Sequence, residues 1–171
     1  MYNGPSMDLF ILRHAVAVER GTPGYARDSD RPLTPDGERT MVEIAQGMQA
    51  LGLAFDLILS SPYLRARRTA EIVANVLGGS VEFSDALCAD GNPEELVRRL
   101  RARRSKNEAV LLVGHEPYLS GLISILLTGT TSVTATLKKG GLCKLSVRNL
   151  SYGLCASLEW LLTPKQLRLI R

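Results

Sequence analysis

The chain has 171 residues, a length that fits one domain with a substantial core. Hydrophobic residues make up 45% and charged residues 22%, which excludes a disordered chain, and no apolar run approaches the ~18 residues of a membrane span. A net charge of +4 suits anionic substrates without pointing to nucleic acid.

Residues 1–6 lack the basic start and long apolar stretch of a signal peptide, so a cytoplasmic location is expected. Met7 offers an alternative start. The chain has three cysteines, Cys88, Cys143 and Cys155, and no C-x-x-C. They are expected to be reduced, with neither a disulfide framework nor a zinc site.

Three short apolar runs have the length and composition of strands buried on both faces: residues 8–12, 55–59 and 109–113. Helical patterns separate them. The first begins with Thr34 as N-cap and Pro35 at the first helical position, carries Met41, Ile44, Ala45, Met48 and Leu51 at helical spacing, and stops near Gly52. The second follows Pro62 and ends at Gly78-Gly79. A third runs from Asn92-Pro93 to about Arg104, and a fourth from Pro117 to about Leu127. The tail reads as two consecutive strands, residues 142–147 and 154–161, joined by a turn. This order predicts an α/β layer fold whose largely parallel central sheet gains antiparallel pairing at the end.

The chemistry gathers where strands end. Ligands of open α/β sheets bind outside the carboxyl ends of the strands. The first run ends at Arg13-His14, the second at Ser60-Ser61 with Arg65 beyond, and the third at His115-Glu116. The chain has two histidines, and each directly follows a predicted buried strand. An arginine fork neutralises and orients a phosphoryl group. A neutral imidazole nitrogen attacks phosphorus while its other nitrogen keeps a proton for a fixed acceptor. A second histidine donates to the oxygens where transition-state charge collects. Arg13, Arg65, His14 and His115 supply these groups. With no further histidine and no paired-carboxylate spacing, a metal site is disfavoured.

Ser60 and Ser61 read as caps of the following helix rather than phosphate ligands. The basic run Arg98-Arg99-Leu100-Arg101-Ala102-Arg103-Arg104 reads as an exposed helix face with cations at the C-terminal end of the macrodipole. It has no interleaved aromatic residues, so it is not taken as a nucleic-acid site.

Leu12-Arg13-His14-Ala15, Ser60-Ser61-Pro62-Tyr63-Leu64-Arg65-Ala66 and Val113-Gly114-His115-Glu116-Pro117 together resemble the histidine phosphatase superfamily. The compact length and Arg31-Pro32-Leu33-Thr34 resemble its small bacterial branch, the phosphohistidine phosphatases of the SixA type. The match runs in order from residue 8 to about 128. It implies a three-layer α/β/α sandwich around a mostly parallel mixed sheet, as in phosphoglycerate mutases. It also implies His14 as the nucleophile that becomes phosphorylated, a phosphate pocket lined by Arg13, Arg65 and His115, and no metal or organic cofactor. The implied partner is a phosphorylated protein, a histidine phosphotransfer domain, or a small phosphorylated substrate, with no nucleic acid and no membrane. A small-molecule phosphatase of the same superfamily and a non-catalytic phosphate-binding module are the alternatives.

Two points depart from the superfamily pattern. Ala15 stands where the name motif has glycine, at a cost of roughly 1–2 kcal/mol if positive φ were required there. The proton donor is open among Glu116, Asp28 and Asp30, each of which also reads as a solvated loop carboxylate. A phosphohistidine substrate relaxes that need, because its imidazole is already a good leaving group.

Overall fold

The computed structural model describes residues 6–103, 109–133 and 135–170. The leader expectation at residues 1–5 and the last predicted residue of the third helix, Arg104, lie outside them.

The buried apolar runs form the middle of one sheet. Its strands are β1 (Met7–Arg13), β2 (Leu57–Ser60), β3 (Val81–Phe83), β4 (Ala109–Gly114), β5 (Leu142–Val147) and β6 (Ala156–Leu162). Their order is β3-β2-β4-β1-β5-β6. The first four strands are parallel, while β5 is antiparallel to β1 and β6 to β5. The helices are α1 (Pro35–Ala50), α2 (Leu64–Leu77), α3 (Pro93–Arg103), α4 (Tyr118–Thr128) and α5 (Pro164–Leu169). No described helix is long and apolar enough to cross a membrane.

Strand alternation sorts the central side chains into two cores. Leu9, Ile11, Val110 and Leu112 face Leu96 and Leu100 of α3 and Leu119 and Leu122 of α4. Phe10, Leu12, Leu111 and Val113 face Met41, Ile44 and Met48 of α1 and Ala66, Ala70 and Val73 of α2. Burying each large aliphatic side chain contributes about 1.5–3 kcal/mol, so apolar strands sandwiched between helices are the stable solution. The result is the expected three-layer α/β/α arrangement around a mixed sheet.

The helix termini follow the sequence signals. Thr34 Oγ1 accepts the Gly37 N–H at 2.9 Å and caps α1. Gly78 and Gly129, both at positive φ, end α2 and α4. Two further glycines permit close approaches. A Cβ on Gly37 would stand 2.1 Å from the Val16 carbonyl, just downstream of His14, and one on Gly47 would stand 1.9 Å from the Leu167 carbonyl of α5.

Two elements were not expected. The edge strand β3 has only three residues and no fully buried side chain, so it lacks an apolar signal. Helix α5 is short, but its capping box between Thr163 and Gln166 is readable in the sequence. The described arginines of the basic run, up to Arg103, lie in the C-terminal part of α3, where Arg99 and Arg103 pair with Glu82. All three cysteines are free.

Candidate active site

The sheet brings the site together by register. Arg13 pairs with Gly114 and Ser60 with Val113, so the carboxyl ends of β1, β4 and β2 lie side by side. The ladder then extends one residue further: His14 N–H donates to Gly114 O at 3.1 Å, and Ser61 N–H donates to Val113 O at 2.9 Å. His14, His115 and Ser61 therefore leave the sheet at one level. The two imidazole rings stand 5.1 Å apart between centroids.

His14 is 6% exposed. Its Nδ1 lies 2.7 Å from the Ala15 carbonyl oxygen. A carbonyl only accepts, so the proton sits on Nδ1 and Nε2 carries the bare lone pair. A second bond agrees: Arg65 donates Nε–H to His14 Nε2 at 3.2 Å. Burial, foremost, pushes the ring's pKa down to about 3, helped by the charges of His115, Arg65 and Arg13 and opposed by the Ala15 bond. His14 is thus a neutral imidazole with its lone pair on Nε2. Ala15 has no positive φ, so alanine in place of glycine carries no such cost there. Its N–H donates to Thr69 Oγ1 at 3.1 Å, and that hydroxyl donates to the Arg65 carbonyl at 2.7 Å. One threonine thus ties the loop after His14 to the turn of α2 that carries Arg65.

Arg65 is 3% exposed, in the first turn of α2. Besides His14 it grips Asp28, through Nη1 on the backbone carbonyl at 2.6 Å and Nη2 on the carboxylate at 2.7 Å. Arg31 binds the same carboxylate at 2.8 Å. Burial opposes the charge on Asp28, but hydrogen bonds from Arg31 and Arg65 outweigh it and hold the pKa at about 2. The Arg31-Pro32-Leu33-Thr34 segment pairs with the chain after His14: Val18 N–H donates to Pro32 O at 3.0 Å and Thr34 N–H to Val16 O at 3.0 Å. This pairing delivers Asp28 and Arg31 to the site.

Arg13 is half-buried. Its Nη1 donates to Leu137 O at 2.9 Å, while its buried Nε has no partner among the described residues. The main chain of Arg13 exchanges hydrogen bonds with Gly140 and Gly141, so the turn entering β5 is fastened to this residue. The Arg13 charge also lowers the pKa of both histidines.

His115 is 1% exposed, and its Nε2 lies 2.8 Å from Ser61 Oγ. The Tyr63 ring stands 5.0 Å from it, with the Arg65 guanidinium 5.3 Å from the Tyr63 ring. Burial first, then the Arg65 charge, pushes the His115 pKa down to about 3. The expectation that Ser60 and Ser61 cap α2 is corrected. Tyr63 occupies the N-cap position without a side-chain cap, Ser60 Oγ donates to the Ser61 carbonyl, and Ser61 turns to His115.

His14, His115, Arg13 and Arg65 are therefore gathered, and Asp28 joins them. Glu116 is placed differently. Its Oε2 accepts from Ser120 Oγ at 2.6 Å and from Ser120 N–H at 3.3 Å, in the first turn of α4. It makes no hydrogen bond to the other four residues. Asp30 pairs with Arg27 at 2.8 Å. Sequence reasoning missed Ser61, Tyr63 and Thr69 as site residues. Their signal was adjacency: Ser61 directly follows β2, and Thr69 lies one helical turn beyond Arg65. Among the described residues no group of three or more histidine, cysteine or carboxylate side chains is placed to hold a metal ion.

Two buried neutral imidazoles, one offering a lone pair, set among arginines, suit attack on an anionic phosphoryl group. Known proteins agree. The family model of the histidine phosphatase superfamily (branch 1) matches residues 9–88. The chain is 31% identical over 128 residues to the phosphohistidine phosphatase SixA of Escherichia coli K12, covering 73% of this chain and 77% of that protein. It is 40% identical over 138 residues to an uncharacterised protein of Picosynechococcus, covering 80% and 82%. A structure of the protein histidine phosphatase SixA complexed with tungstate matches with a TM-score of 0.80 at 26% identity, covering 94% of this chain and 99% of that one. The alpha-ribazole phosphatase of Shigella flexneri, at 19% identity and a TM-score of 0.70, covers 92% and 97% and shares the fold. By sequence, fold and the arrangement of its two histidines, this chain belongs to the histidine phosphatase superfamily, in its SixA-type branch.

Proposed function

We propose that this chain is a cytoplasmic enzyme that removes the phosphoryl group from a phosphohistidine on a protein of a phosphotransfer signalling system. The single observation behind the substrate class concerns acids. Neither Asp28 nor Glu116 hydrogen-bonds to His14 or His115. Asp28 is ion-paired to Arg65 and Arg31 with its pKa near 2, so it is ionised at neutral pH. Glu116 is turned onto Ser120. An alkoxide leaving group needs such an acid, whereas an imidazole leaving from a phosphoramidate takes its proton from water.

The reaction runs in two stages. The Nε2 lone pair of His14 forms a bond to phosphorus as the substrate's P–N bond breaks, and the departing imidazole gains a solvent proton. Water then attacks the phosphoryl group on His14, releasing inorganic phosphate and restoring the neutral ring. Arg13 and Arg65 neutralise the phosphoryl oxygens, and Arg65 must exchange its bond to Nε2 for one to the incoming group.

About fifty residues separate Arg65 from His115, and the elements described between them are β3, α3 and β4 with the rest of α2. This leaves little chain to enclose a metabolite, which favours a protein substrate. The deciding experiment compares kcat/KM for a phosphohistidine-bearing phosphotransfer domain, free phosphohistidine and a sugar phosphate, with His14→Ala as control. The expected order has the phosphorylated domain first. Equal or faster turnover of the sugar phosphate would instead make the chain a small-molecule phosphatase.

A further inference from the structure

His115 has one bonded and one orphaned ring nitrogen. Nε2 lies 2.8 Å from Ser61 Oγ. Nδ1 is buried and has no partner among the described residues. An unpaired buried polar atom is costly, and at a site of this chemistry it marks a group awaiting its ligand.

The tautomer of His115 follows from what Ser61 can do. Ser61 is 0% exposed and its hydroxyl holds one proton. Its oxygen already accepts the Tyr63 N–H at 3.3 Å. Two acceptors compete for the proton: His115 Nε2 at 2.8 Å and Cys88 Sγ at 3.8 Å. The ring nitrogen is at the ideal length and the sulfur is a weak, distant acceptor, so the proton goes to the ring. The ring's own proton is then on Nδ1.

We propose that Ser61 is a positioning residue: by donating to Nε2 it holds His115 as the Nδ1–H tautomer and makes the orphaned nitrogen a hydrogen-bond donor to the phosphoryl oxygens. This rests on the reading that the site handles a phosphoryl group. The two rings then share one tautomer and use it in opposite ways. His14 ties its Nδ1–H to Ala15 and offers a lone pair from Nε2. His115 ties its Nε2 to Ser61 and offers a proton from Nδ1. The reverse tautomer of His115 would turn a lone pair toward anionic oxygens. Without Ser61 nothing in the described contacts selects between them, because neutral imidazole tautomers differ little in energy.

The chain contains only two histidines, so long-range proton–nitrogen correlation spectra of isotope-labelled protein near neutral pH resolve both rings. The expected wild-type pattern is a protonated Nδ1 and a bare Nε2 in each ring, with the His115 Nδ1 signal moving when inorganic phosphate is added. Ser61→Ala is expected to leave the His14 pattern intact and scramble that of His115. It should lower kcat by roughly 10- to 100-fold on the best wild-type substrate, with a smaller change in KM. A wild-type His115 protonated on Nε2, or an unchanged tautomer in Ser61→Ala, would overturn the proposal. The spectra involve no organic substrate, so an error in the substrate class would leave this result standing.

Discussion

Arg65 donates its Nε–H to Nε2 of His14 at 3.2 Å. The bond does two things. It occupies the Nε2 lone pair, and under the proposed mechanism it places the guanidinium where a phosphoryl group on that nitrogen would need charge. The remaining guanidinium nitrogens hold Asp28, so all three faces of the fork are engaged. Lysine has neither the fork nor the reach to replace these bonds. Arg65→Lys is expected to lower kcat/KM by about 100-fold or more and to weaken inhibition by inorganic phosphate in parallel. Steady-state kinetics with phosphate titration check both.

The two buried histidines make stability depend on pH. Each has a folded pKa near 3 against an ordinary value of 6.5, so the unfolded chain binds more protons between these limits. Stability should therefore fall as pH drops below about 6.5 and continue falling toward about 3, on the order of 1 kcal/mol per pH unit per histidine. Urea midpoints between neutral pH and mild acid measure this. His14→Asn combined with His115→Asn should flatten the fall, and an unaltered slope in that variant would assign it elsewhere. The same depression keeps His14 neutral, so its protonation should not appear as a limb in the pH–rate profile between about pH 5 and 8.

Asp28 acts through its partners. Its carboxyl has an ordinary value of 3.8 and is held at about 2 in the fold. Its stabilising charge is fully present above the unfolded value and is lost as pH falls through the folded one. Asp28→Asn leaves the buried Arg65 cation short of its counter-charge and should destabilise the protein by about 1–3 kcal/mol at neutral pH. The gap to wild type should narrow by about pH 3. Denaturant titrations at the two pH values test it, and an equal gap at both would contradict the pairing.

Glu116 is expected to be a helix-terminus residue in this reaction rather than its acid. Glu116→Gln keeps an acceptor for Ser120, so it should retain phosphohistidine hydrolysis within about tenfold of wild type. A loss as complete as that of His14→Ala would show that the reaction needs this carboxyl after all.

How far the sequence was legible depended on the kind of signal. Runs such as Leu111-Leu112-Val113 are buried on both faces, so composition alone marked the central strands. Thr34-Pro35 and Gly78 marked helix ends because their backbone needs are local. His14 and His115 stood out because both follow such strands. Asp28 was only one of three candidate acids in the sequence. Its pairing with Arg65 depends on the bridge between Ala17 and Leu33, a contact between loop residues with no periodicity. Ser61 was misread as a cap because serine before a helix usually is one, and only the register of β2 against β4 shows it facing His115. The edge strand β3 was invisible because its pairing with β2, rather than its own hydrophobicity, makes it a strand.

The most direct test of the account is to trap the phosphoenzyme. Wild-type protein mixed with a phosphohistidine-bearing protein, quenched in base and analysed by phosphorus NMR and peptide mapping, should carry its phosphoryl group on Nε2 of His14. His14→Ala should carry none and turn over nothing. A phosphoryl group on His115 or on Nδ1 of His14, or sustained hydrolysis by His14→Ala, would contradict the assignment of His14 Nε2 as the nucleophile.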